Sequence, residues 1–99
     1  MDSFKIYTQG DVLALTNHRD GEVKLGEQVL VVSSLDEIIN SSAAFVLLGI
    51  PEDIGVRANF GIGGTKTAWS AAIKAILNTQ SNPFLNGNEI LVLGNFEIE

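Results

Sequence analysis

Ala43-Ala-Phe-Val-Leu-Leu-Gly-Ile50, with Pro51 directly behind it, decides the fold class. It is a continuous apolar run without the alternation of a half-exposed strand, as expected for a strand buried on both faces. Two similar runs flank it, Val29-Leu-Val-Val32 within 28–33 and Ile90-Leu-Val-Leu93 within 89–94. Between the first and second runs stand Ser34 and, three residues on, Glu37, the spacing of a capping box. Leu35, Ile38 and Ile39 follow at helical spacing, and Asn40-Ser41-Ser42 ends that short helix. Between the second and third runs, Thr65 is placed to cap a helix from 66 to about 79. Its apolar stripe is Trp69, Ala72, Ile73, Ile76 and Leu77. Strand, helix, strand, loop, helix, strand makes two βαβ units, so the expectation is an α/β fold with a parallel sheet and right-handed crossovers.

Residues 1–27 read differently. They are polar, with one or two helical turns over 11–16 capped by Asp11, and an extended arm or loop over 17–27. The chain is therefore expected to be one segment, 1–99, with a polar arm at 1–27 and βαβαβ at 28–99. No internal repeat or interdomain linker breaks it.

Composition narrows the function classes. The 45% apolar fraction and the mean hydropathy of +0.24 indicate a folded chain. There are no cysteines, which excludes disulfides, thiolate metal sites and a thiol nucleophile. A net charge of −6 with six scattered basic residues argues against nucleic acid as a partner. No apolar run approaches the roughly 18–20 residues of a membrane span. The first residues lack the basic region and apolar core of a signal peptide, so a cytoplasmic, soluble protein is expected.

The long stretch from 51 to 65 holds Gly55, Gly61, Gly63 and Gly64 and exceeds or matches the usual loop ceiling of about 12–15 residues. In open α/β sheets, ligands bind beyond the carboxyl ends of the strands, which is where this loop starts. Asp53, Arg57 and Asn59 are its candidate binding residues. Arg57 suits a bidentate carboxylate contact, while Asp53 and Arg57 pairing with each other to fix the loop is the alternative. Asp53 is the better loop organiser, because a short carboxylate turns back on nearby amides.

Nucleotide fingerprints fail on spacing: Lys66 stands where a dinucleotide loop starting at Gly61 needs glycine, and Thr65 separates Gly64 from Lys66. Tight-turn glycines are the plainer reading. His18, alone between Asn17 and Arg19, reads as a solvated residue without ligand partners. Trp69 reads as core and Glu37 as a cap, and Glu52 and Asp53 have no second acid to share proton transfer with.

Val46-Leu-Leu-Gly-Ile-Pro-Glu-Asp-Ile-Gly-Val-Arg-Ala-Asn-Phe-Gly-Ile-Gly-Gly64 resembles the opening of the arginase (ureohydrolase) family's α/β fold. There, a strand ending in Gly-x-Pro leads into an Asp-x-Gly loop, a glycine turn and a helix. Gly55-Val-Arg57, Asn59 and Gly61 look more like formimidoylglutamase than arginase or agmatinase. Leu91-Val-Leu-Gly-Asn95 is similar to the family's second strand, often Asp-x-Gly-Asp. The sequence departs at Ile62, where a second Arg is expected, and at Val92 and Asn95, where both carboxylates are missing. The likeness covers 44–99, while 1–43 matches only in layout.

The resemblance implies a partial arginase-type fold, three-layer α/β/α, with about three strands and two helices in this chain. It implies a hydrolase acting on C–N bonds of linear amidines, with Arg57, Asn59 and Asp53 at the substrate. Family members bind a manganese pair through later His and Asp motifs that do not occur here. No catalytic residue, metal ligand or cofactor is therefore expected within the chain, which reads as an inactive N-terminal segment. The rival reading is a stand-alone binding or assembly module. Three strands and two helices leave a sheet edge and one face thinly covered, so a homo-oligomer, or docking to the rest of the parent domain, is expected.

Overall fold

The computed structural model describes residues 3–50 and 65–97. Strand β1 (Ser3–Ile6), helix α1 (Gln9–Ala14), two 3₁₀ turns (Leu25–Glu27 and Leu35–Ile38), strand β2 (Phe45–Gly49), helix α2 (Thr65–Leu77) and strand β3 (Ile90–Glu97) follow in order. The described strands form one mixed sheet in the order β1-β3-β2. β2 and β3 are parallel, and β1 is antiparallel to β3. Mixed α/β content and a parallel pair joined through α2 therefore stand, but an all-parallel sheet does not.

β3 is central, and its apolar run is sealed: Leu91 and Val92 are fully buried and Leu93 nearly so. Alternation along the strand sends neighbouring side chains to opposite faces. Val92 packs with Tyr7, Val12, Val29, Ile73 and Leu77. Leu91 and Leu93 pack with Val32, backed by Phe4, Leu30, Ile38 and Ala43. Within the α2 stripe, Ile73 and Leu77 are buried and Trp69 and Ile76 half-buried, while Ala72 is exposed at its margin.

Three expectations are corrected. Residues 28–33 do not form a strand. Only Leu30 pairs, as a single parallel bridge to Leu91, with its amide donating to the Ile90 carbonyl at 2.9 Å. β1 occupies the same side of β3 from Gly94 onward, leaving room there for one bridging residue. The helix expected after Ser34 is a 3₁₀ turn, Leu35–Ile38, because one turn with i→i+3 bonds cannot offset the cost of helix nucleation. Its cap is shifted too: Glu37 accepts from the amide and hydroxyl of Ser33, and Ser34 makes no side-chain cap bond.

The third correction concerns 1–27, which is integral to the fold. β1 pairs with β3, and Tyr7, Val12 and Leu25 are buried. Asp11 does not cap α1. Thr8 does, its hydroxyl accepting the Asp11 amide at 3.1 Å while the Asp11 carboxylate accepts the Thr8 amide at 2.9 Å. Tyr7 before the cap and Val12 four residues after it share the main core, the arrangement of a hydrophobic staple. Asn78 then ties the arm to the end of α2. Its Nδ2 donates to the Leu15 carbonyl at 2.9 Å, and its Oδ1 accepts the Asn17 amide at 2.7 Å.

Candidate functional site

Because β2 and β3 run parallel, their carboxyl ends lie together, with Gly49 in register with Asn95. The described chain leaves the sheet at this end of β2 and is described again from α2 onward. Asp53, Arg57 and Asn59, the expected binding residues, lie outside the described residues. Their flanks are described, and a chain of polar contacts lines them. The Trp69 indole donates to the Tyr7 hydroxyl at 3.1 Å, and that hydroxyl bonds to Asn95 Oδ1. Asn95 Nδ2 in turn donates to the Phe96 carbonyl at 2.9 Å.

The apolar sequence pattern marks Trp69 only as core and signals neither Tyr7 nor the use of Asn95. Trp69 is half-buried against the main core, and it lies so close to Gly49 that a Cβ there would strike its ring. Gly49 therefore permits the indole to cover the end of β2. For Tyr7, the missed signal was the Thr8-x-x-Asp11 box, which assigns the preceding residue to the staple position and hence to the interior.

The cluster can brace the carboxyl end of the sheet. It contains no nucleophile paired with a base and no pair of acids, so it performs no chemistry by itself. Among the described residues there is no group of three or more His, Asp or Glu side chains arranged to hold a metal ion. His18, expected to be solvated, is 66% exposed at its side chain yet meets two carboxylates: its Nδ1 lies 2.9 Å from Glu27 and its Nε2 3.3 Å from Asp20. They face opposite ring nitrogens, so a single cation cannot bridge all three groups. Hydrogen bonding to Glu27, followed by the charge of Glu27, raises the His18 pKa above its ordinary value. The Glu27 carboxyl is held low, first by the Lys24 amide and then by His18. Among the described residues no helix is long and apolar enough to cross a membrane.

No protein-family model matches this sequence, no curated protein matches it, and no solved structure matches the fold.

Proposed function

We propose that this chain is the N-terminal segment of a manganese-dependent ureohydrolase resembling formimidoylglutamase. The parent would hydrolyse N-formimidoyl-L-glutamate to glutamate and formamide, a step of histidine degradation. The observation carrying this reading is the β2–α2–β3 unit: β2 ends at Gly49, and the chain returns through α2 to a parallel strand closing in Leu93-Gly94-Asn95. A parallel β2–α2–β3 unit is what the arginase-type, three-layer α/β/α arrangement requires at this point.

In this reading Arg57 pairs with a substrate carboxylate, Asn59 hydrogen-bonds beside it and Asp53 organises the loop. The manganese pair belongs to later His and Asp motifs of the parent, where it supplies the activated water for attack on the amidine carbon. The chain alone is inactive. An arginase- or agmatinase-type relative is the nearest alternative within the same family.

A stand-alone assembly module is the second reading, favoured by the exposure of Phe45, Val46, Leu48 and Ile50 along β2 and its end. The two separate on the reading frame past codon 99. In-frame His and Asp motifs support the enzyme, and an immediate stop sinks it. With the motifs present, the manganese-loaded full-length protein is expected to release formamide from N-formimidoyl-L-glutamate. Arg57→Ala is expected to raise KM more than it lowers kcat, and unchanged kinetics would remove Arg57 from the site.

A further inference from the structure

We propose that His18 is a proton-operated clasp that, when charged, bridges Asp20 of the 17–24 loop to Glu27 of the Leu25–Glu27 turn. Two carboxylates flank the ring. Glu27 Oε2 lies 2.9 Å from Nδ1, and Asp20 Oδ1 lies 3.3 Å from Nε2. A neutral imidazole carries one N–H and one lone pair, so it can satisfy only one of these carboxylates and must present its lone pair to the other. The imidazolium donates to both. Protonation therefore decides whether the ring holds Asp20 and Glu27 together or satisfies only one of them.

The Glu27 carboxylate is held in place, and the backbone carrying the exposed Asp20 side chain is fixed. Asp20 sits in a tight turn in which the Glu22 amide donates to the Arg19 carbonyl at 3.1 Å, and Gly21 supplies the required positive φ of 84°. Glu27 is anchored through its other oxygen, which accepts the Lys24 amide at 2.9 Å. Among the described residues Lys24 is the cation that acts on the ring, and it opposes protonation less strongly than Glu27 favours it. From the end of α2 the loop meets Asn78, which is uncharged.

What the clasp controls is the outer end of this loop, not its docking beside the end of α2. Beyond the ring, the Leu25 amide donates to the Thr79 carbonyl at 2.8 Å and the Ser81 amide to the Val23 carbonyl at 2.7 Å. Leu25 and Leu77 are both buried. Losing one carboxylate contact frees the 18–22 end of the loop while these inner bonds persist.

His18 is the only histidine in the chain, so its ring resonances are unambiguous in an NMR titration of the full chain. The midpoint is expected above the ordinary imidazole value, and Glu27→Gln and Asp20→Asn should each lower it. Amide exchange at 19–23, corrected for intrinsic rates, should accelerate roughly two- to fivefold as pH rises through that midpoint, the scale of an exposed ion pair. In His18→Gln that step should vanish. An ordinary midpoint, no step in the native chain, or the same step in His18→Gln would each overturn the clasp. Asp20 and His18 are exposed, so these variants should fold, and their unchanged circular dichroism serves as the control.

Discussion

At position 94 the β3 backbone takes a φ of +147°, and the Lys5 carbonyl lies where a side chain would begin. The pairing with β2 slips at the same place, from Leu47 opposite Val92 to Leu48 opposite Gly94. A glycine is needed for both the dihedral and the close approach of β1. Gly94→Ala should therefore cost at least the roughly 1–3 kcal/mol of a strained backbone and loosen β1. Urea unfolding would show this, with lost exchange protection at the Tyr7 amide, which donates to the Leu93 carbonyl. An unchanged midpoint would refute it. Tyr7→Phe is a second test, since it removes the hydroxyl between Trp69 and Asn95 and leaves half-buried polar groups without that partner. About 1–3 kcal/mol of lost stability is expected, with a change in Trp69 fluorescence. Neither role was legible in the sequence. Gly94 looked like a strand end because its strain comes from β1, and the Tyr7–Asn95 contact joins residues 88 apart.

For the elements, legibility followed length and neighbours. α2 spans 13 residues, enough for the stripe through Ile73 and Leu77 to declare itself. The run over 28–33 has the composition of a strand, but β1 takes the Gly94–Glu97 half of that side of β3, a competition invisible locally. α1 has six residues and stands on its capping box and staple rather than on propagation. Thr8→Ala should therefore cost about 1 kcal/mol and raise exchange at the Asp11 amide. The acid limb of stability follows from the same boxes. Asp11 is held below its ordinary pKa, first by the Thr8 amide, and Glu37 first by the Ser33 hydroxyl. A depressed folded pKa means that their stabilisation is complete above the ordinary carboxylate range, about pH 4. It is lost as pH falls through the folded values. Thermal midpoints should decline through this window, and Asp11→Asn with Glu37→Gln should flatten the decline. An identical acid slope in the double variant would exclude these two groups as its source.

In the whole molecule, the order β1-β3-β2 leaves β2 at the margin of the described sheet. Phe45 is 62% and Ile50 65% exposed, with Val46 and Leu48 partly open between them. Beside them Phe45, Val46 and Leu47 join Ile76, Leu85 and Ile90 in an apolar groove. The apolar run that identified β2 as a doubly buried strand is thus left half open, although its pairing with β3 is as expected. A strand with that composition at an edge invites pairing or docking, and charges such as Lys are the usual protection against it. Our proposal that the chain self-associates, or docks on the rest of a parent domain, follows from this mismatch. Sedimentation velocity of the chain at micromolar concentrations should show concentration-dependent association. Val46→Lys places a charge on the open strand without entering either buried cluster, so it should shift the population to monomer while leaving the urea midpoint nearly unchanged. If the native chain sediments as a clean monomer across that range, the edge needs no partner and the proposal fails. If Val46→Lys associates as the native chain does, the contact lies elsewhere on the surface.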